Sequence, residues 1–170
     1  MNEHVFNIDN HVNDGFEKVC EVVSNYGHWR YKKINENLMF STHRSWVYFI
    51  VVNKTIVKVG ETGNPLGIEE VYLYGDYELQ PAANSKSRLG RYRKGDGTDS
   101  YVRENLRPVM EKGVEVSIWA KPCDVALVTT IINSTAYTIK NSVHKDLEIA
   151  YLNYFVQHGG RLPLLNKAKK

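Results

Sequence analysis

The sequence predicts an α+β protein, with a small, mainly antiparallel central sheet of three strands flanked by helices. Three observations carry this expectation. Trp46 to Gly60 is β-branched and aromatic, broken only by the polar Asn53-Lys54-Thr55, which is the pattern of two strands joined by a short turn. Val114, Val116 and Ile118 alternate with Glu115, Ser117 and Trp119, so a half-buried third strand is expected there, stopped by Pro122. His144 to His158 carries Leu147, Ile149, Ala150, Leu152, Phe155 and Val156 and ends at Gly159-Gly160. That is a helix apolar on almost every side, expected to be largely buried.

The remaining elements follow in chain order. Phe16, Val19, Cys20 and Val23 recur at i, i+3, i+4, i+7, which predicts a helix over Asp14 to Ser24 and a helical N-terminal extension, residues 1–44. Asn25-Tyr26-Gly27 closes it, and the stretch through Phe40 reads as irregular or a short strand. Residues 64–84 are rich in turn formers and hold Tyr72, Tyr74 and Tyr77, so they read as an insertion, longer than loops in compact domains usually are. Asn84 to Arg93 predicts a short helix with Arg88 and Tyr92 at i and i+4 on one face, broken by Gly95-Asp96-Gly97. A further helix begins with Asp99 or Ser100 as N-cap, turns Val102, Leu106, Val109 and Met110 inward and ends at Gly113, with Pro108 expected to kink or split it. Asp124 to Ser142 is β-branched and polar and reads as strand or loop, not helix.

Register decides what the hairpin presents. A two-residue turn at Asn53-Lys54 pairs Phe49 with Lys58 and sends Tyr48 to the opposite face. A three-residue loop pairs Ile50 with Lys58 and makes Tyr48 and Lys58 diagonal neighbours on one face, at roughly 7–8 Å between backbones. An odd-length loop or a bulge is therefore expected.

Composition bounds the function. The chain has 170 residues and a net charge of +3, enough for one domain with a sizeable core and too little charge to imply a polyanion by itself. Its distribution says more. Between Glu61 and Gln80 lie five acids and no Lys or Arg, whereas Lys86, Arg88, Arg91, Arg93 and Lys94 follow without an acid among them, the footprint expected where a phosphate backbone docks. Cys20 and Cys123 match no metal-ligand spacing and read as packed, reduced thiols. No stretch approaches the ~18 apolar residues of a membrane span, and the N-terminus has no leader pattern, so a soluble cytoplasmic protein is expected.

Taken in order, Trp46-Val47-Tyr48, Lys58-Val59-Gly60, Arg88-Leu89-Gly90-Arg91-Tyr92, Glu148 and Asn166 resemble the core of the GIY-YIG nuclease superfamily over residues 45–166. Tyr48 looks like the first tyrosine of the family; Trp46 stands at the first glycine, and the second tyrosine falls on Lys58, a lysine similar to what some restriction endonucleases of this superfamily carry there. Arg88 and Tyr92 match the family's arginine and the aromatic one turn on, Glu148 its metal-binding glutamate, and Asn166 its terminal asparagine. The insertion after Gly60 resembles the restriction and phage endonuclease II branch.

The resemblance implies a magnesium-dependent endonuclease cutting double-stranded DNA, restriction-type, as a homo-oligomer, most simply a dimer, because one site cuts one strand. A phage or mobile-element nuclease of loose sequence preference and a non-catalytic DNA-binding module on the same fold are the alternatives. In this reading Glu148 holds one Mg2+, Arg88 contacts the scissile phosphate, Tyr92 orients it, and Tyr48 with Lys58 serves the attacking water. Lys86, Arg91, Arg93, Lys94 and Asn166 are the expected DNA contacts. The phenol of Tyr48 acts as a base only if its pKa falls by about three units, roughly 4 kcal/mol; otherwise it positions the water.

Overall fold

The computed structural model describes residues 2–25, 28–67, 71–74, 78–81, 87–94 and 98–167, with only the backbone at 25, 28, 71–74, 78–81, 93, 94 and 98. The hairpin stands at one end of its sheet. Strand β3 (Trp46–Val52) pairs antiparallel with β4 (Thr55–Thr62) around Asn53 and Lys54, whose φ values of 41° and 70° are those of a tight turn with both central residues left-handed. The turn is two residues long, yet Ile50 pairs with Lys58, because the register shifts by one between Ile50 and Val51 and leaves Val57 as a bulge. The bulge restores the face that a two-residue turn alone would have inverted.

The other flank of β3 pairs antiparallel with β7 (Val116–Pro122), and β7 pairs with β1 (Glu17–Asn25). The predicted three-stranded unit is thus extended: β2 (His28–Lys33), β6 (Glu78–Pro81) and β5 (Val71–Tyr74) complete a seven-stranded antiparallel sheet ordered β4-β3-β7-β1-β2-β6-β5. The insertion therefore contributes a two-stranded ribbon to the far edge.

Residues 14–24 correct the reading of a helix. From Glu17 on they form β1, because β1 gains backbone partners on both sides, β2 and β7, and Val19, Val22 and Val23 suit a strand. The misleading period has a physical cause. The register against β7 shifts between Lys18 and Cys20, so the neighbours Val19 and Cys20 are both buried and strict alternation is lost. The carbonyl of Val19, freed from the ladder, accepts from the N–H groups of Ile34 and Asn35 at 3.0 and 2.9 Å. Within the extension the helical segments are short, 3-10 turns at Glu3–Phe6 and Ile8–Asp14 before β1 and one α-helical turn at Glu36–Met39.

Alternation along β3 divides the core. Trp46, Tyr48 and Ile50 join one buried cluster with Leu89, Tyr92, Val102 and Leu106, while Val47, Phe49 and Val51 join another with Phe6, Phe16 and Phe155. Helices α2 (Arg88–Lys94) and α3 (Thr98–Glu111) cover the first face; α4 (His144–Gly159) covers the second and packs chiefly on β4. A short α1 (Glu36–Met39) follows β2. Pro108 lies inside α3, which remains one helix: Glu104, whose carbonyl loses its partner, is exposed, and water can serve it. Helix α4 is not largely buried. Phe155 is, but Ile149 and Val156 stand about half exposed.

Residues 125–142 form β8 (Val125–Ile132) and β9 (Thr135–Ser142), a separate antiparallel ribbon turning at Asn133-Ser134. The edge of β4 is covered by the end of the chain, where the N–H of Leu165 donates to the carbonyl of Val57 at 2.8 Å. Cys20 and Cys123 are buried and unpaired, and among the described residues no helix is long and apolar enough to cross a membrane.

Candidate active site

Tyr48 lies mid-strand, paired with Gly60 on β4. Its ring covers that glycine so closely that a Cβ there would come within 2.2 Å of Cζ, which explains the glycine of Lys58-Val59-Gly60 without any demand on its dihedrals. Lys58 lies two residues away on the same face, opposite Ile50, brought there by the bulge.

Helix α2 brings Arg88 and Tyr92 to this face. Its start is held to the loop after β4, where the N–H groups of Arg88 and Leu89 donate to the carbonyls of Pro65 and Leu66 at 3.1 and 3.0 Å. From there Arg88 Nε donates to the Tyr48 hydroxyl at 2.8 Å, and the Tyr48 and Tyr92 hydroxyls share a hydrogen bond of 2.8 Å. The guanidinium also lies over the Tyr92 ring, 4.2 Å from its centroid.

Asp99, at the start of α3, completes the arrangement. Its two oxygens take the terminal nitrogens of Arg88, one at 3.4 Å and the other in a shorter ion pair, and the two side chains are 11% and 14% exposed. Sequence reasoning gave Asp99 only a capping role. The signal available was that a guanidinium destined for a core must have a countercharge nearby, and Asp99 is an acid close along the chain.

Charge ties the remaining two residues to the group. Burial lowers the pKa of Lys58, and Arg88 lowers it further, while the carboxylates of Glu148 and Asp99 act in the opposite sense. Glu148, half-buried on α4, is therefore within electrostatic reach of the ammonium. One turn before it, His144 Nε2 lies 3.1 Å from Glu61 of β4, and its Nδ1 bonds Ser142 and lies 3.3 Å from Ser45 Oγ. This contact links the helix of Glu148 to the strand of Lys58.

The tyrosines are not poised to ionise. Burial raises Tyr48 well above the ordinary phenol range, with Tyr92 adding to the rise and Arg88 opposing it; Tyr92 is likewise raised, chiefly by burial. The cation at the Tyr48 hydroxyl is Arg88, and it does not offset the loss of water.

Tyr48, Arg88 and Tyr92 are thus in direct contact, Lys58 shares the face of Tyr48, and Glu148 is tied to them through its attraction to Lys58. Asn166 is occupied by backbone: its Nδ2 donates to the carbonyl of Val59 and its Oδ1 accepts from the Val59 N–H, both at 2.8 Å. Arg91 is exposed on α2; Arg93 and Lys94 follow it with only their backbone described, and Lys86 and Tyr77 lie outside the described residues. Among the described residues no three His, Cys, Asp or Glu side chains gather as a metal site.

The sequence matches no protein-family model and no curated protein. Its fold, however, is that of solved nuclease structures. The chain is similar to a glutamate-to-alanine mutant of bacteriophage T4 EndoII, with a TM-score of 0.58 and 16% identity over 88% of this chain and 94% of that one. It is also similar to the restriction endonuclease Hpy188I in complex with product DNA, with a TM-score of 0.50 and 18% identity over 95% of this chain and 85% of that one.

Proposed function

We propose that this protein is a magnesium-dependent DNA endonuclease of the GIY-YIG kind, restriction-type, hydrolysing phosphodiester bonds in double-stranded DNA as a homo-oligomer. One observation carries the reading: a phenol pair and a guanidinium from β3 and α2 are hydrogen-bonded together, on the same face as an amine of β4 that a carboxylate of α4 attracts, on a fold shared with a restriction endonuclease bound to product DNA.

Phosphodiester hydrolysis requires an aimed water and fixed cations where charge builds on the phosphoryl oxygens. Arg88 is fixed before any substrate arrives, by Tyr48, by Asp99 and by the face of Tyr92. Its five N–H donors exceed what these partners take, which leaves donors for a phosphate oxygen. Lys58, held in a site that disfavours its charge, is an ammonium that gains from an anion beside it. Tyr48 accepts from Arg88 and can direct its own proton to Tyr92 or to a water; buried as it is, it positions the nucleophile as a neutral hydroxyl. Glu148 is the carboxylate suited to Mg2+, because Asp99 is committed to Arg88 and a hard ion with one protein carboxylate completes its shell with water. A bound Mg2+ would supply Lewis-acid stabilisation of phosphoryl oxygens and a more acidic water.

The test is cleavage of a plasmid and a linear DNA of known sequence, with and without magnesium, by the parent chain and by Glu148→Ala. Cutting that needs magnesium and disappears in Glu148→Ala is expected. Discrete bands are expected from a restriction-type enzyme, whereas a smear would favour the loose-specificity phage or mobile-element nuclease. Binding of DNA with no cutting under any condition would leave a non-catalytic module and overturn the mechanism.

A further inference from the structure

Helix α4 starts without a side-chain cap. Its N-cap position is Val143, which offers no hydrogen bond to the orphan N–H groups of the first turn. Helix ends of this kind fray, and Glu148 stands in the second turn, where fraying would move it. The end is held instead by His144, a buried side chain with polar contacts at both ring nitrogens. Nε2 lies 3.1 Å from the Glu61 carboxylate of β4, and since an ionised carboxylate only accepts, this nitrogen carries a hydrogen. Nδ1 meets the Ser142 hydroxyl closely and lies 3.3 Å from Ser45 Oγ, and the two hydroxyls are 2.6 Å apart. The ring also occupies the space over Gly63, where a Cβ would come within 3.3 Å of its Cε1 and 3.4 Å of its Nε2. Ser45 is fully buried and His144 nearly so, which closes this network to a substrate and leaves it a holding role.

We propose that His144 is a positioning residue for Glu148, tying the uncapped start of α4 to Glu61 so that the carboxylate one turn on is held in place for a divalent cation. The two residues share a face of α4 at i and i+4. Both ends of the link fall on one strand: Glu61 of β4 takes His144, and Lys58, three residues before it, is the ammonium that Glu148 attracts. The helix is thus fastened to β4 close to where its carboxylate acts. A cation with a single protein carboxylate depends most on such fixing, because no second ligand recentres it, and groups that orient metal ligands govern affinity by ~10–100-fold. No step of cleavage passes through His144. The proposal rests on the reading of Glu148 as the magnesium ligand, and the experiment separates the two.

Two measurements on the full chain test it, and neither uses cleavage. In the metal-free protein, amide hydrogen exchange at Leu147 to Ala150 is expected to quicken about tenfold in His144→Ala, while residues 152–158 of the same helix keep the parent rates. Titration with Mn2+, followed by water proton relaxation well below the melting temperature of each variant, is expected to show a site that Glu148→Ala abolishes and His144→Ala weakens about tenfold. A merely structural residue would lower the melting temperature and leave that affinity alone. His144→Gln, which keeps an N–H donor within reach of Glu61, is expected to recover most of it. Glu61→Ala is expected to match His144→Ala, and the double variant to lose no more than either, since both remove one link. Parent-like exchange at the start of α4 in His144→Ala overturns the proposal, as does parent-like Mn2+ affinity there when Glu148→Ala has lost its own. Weakening in Glu61→Ala with none in His144→Ala also overturns it, and makes Glu61 a metal ligand itself. Should His144→Ala fail to fold, Glu61→Ala decides by the same two readouts. A site that survives Glu148→Ala, or a parent without one, refutes the reading of Glu148, and the positioning role falls with it.

Discussion

Replacing Asp99 by Asn isolates the contact that holds the candidate site together. The carboxylate and the guanidinium of Arg88 are little exposed, so the charge left behind has few waters to turn to. At about 4 Å between charge centres and an effective dielectric near 20, the Coulomb attraction is worth about 4 kcal/mol. Breaking a buried pair by removing one partner costs ~3–5 kcal/mol, and the amide of Asn returns part of this through one neutral hydrogen bond. A net loss of about 3 kcal/mol is expected, which for a chain of this size lowers the melting temperature by roughly 6–12 °C. Urea denaturation with an unchanged slope would measure it. Activity is expected to fall more than stability, because Arg88 would no longer be fixed against Tyr48 and a displacement of about 1 Å costs on the order of a hundredfold in rate. The double replacement Arg88→Met with Asp99→Leu is expected to recover most of the stability and none of the cleavage, since no buried charge remains. A change below about 0.5 kcal/mol in Asp99→Asn would refute the reasoning: the ion pair would then be a solvated surface contact.

Three further outcomes follow from the same geometry. Gly60→Ala is expected to destabilise by about 1–3 kcal/mol and to cut cleavage at least a hundredfold, because the added methyl displaces the Tyr48 ring; wild-type rates in a folded variant would contradict the close approach. Lys58→Met is expected to raise the melting temperature by about 2–4 °C while abolishing cleavage, since burial and Arg88 both disfavour the ammonium; a less stable variant would show that Lys58 is a net support of the fold. Tyr31, Tyr48 and Tyr92 all have pKa values raised by burial, so the stability of their neutral forms is full below the unfolded value near 10 and is lost as pH rises through the folded values. Lys58, with a lowered value, contributes in the opposite sense, one group against several. The urea midpoint should therefore drop above pH ~10, and a midpoint that stays flat to pH ~11 would remove the argument.

Local pattern was sufficient wherever one short-range rule decided the outcome. Trp46 to Gly60 makes a hairpin because β-branched and aromatic residues flank an Asn-Lys turn, and the opposition of Ile50 to Lys58 could be worked out from the period of two, although the structure reaches it through a bulge at Val57 and not a longer loop. Tyr92 shares a face with Arg88 because they lie one helical turn apart. Ordering of Tyr48, Lys58, Arg88, Tyr92 and Glu148 along the chain was likewise legible.

Long-range pairing decided the rest. Residues 14–24 have a helical period, yet backbone partners on both flanks make Glu17–Asn25 a strand, and the bulge at Val19 is what counterfeits the period. Asp99 looked like a cap and becomes the countercharge of Arg88 because α2 and α3 meet in space. Asn166 looked like a DNA contact; in the structure its amide closes the edge of β4, a role visible only once the chain end is seen beside Val59. Composition and periodicity thus determined the hairpin, the strand after it, the later helices and the order of the chemistry-bearing residues. Which side chains neutralise, bury or free one another was decided by tertiary packing, because hydrogen-bond geometry and desolvation depend on distances that no spacing along the chain specifies.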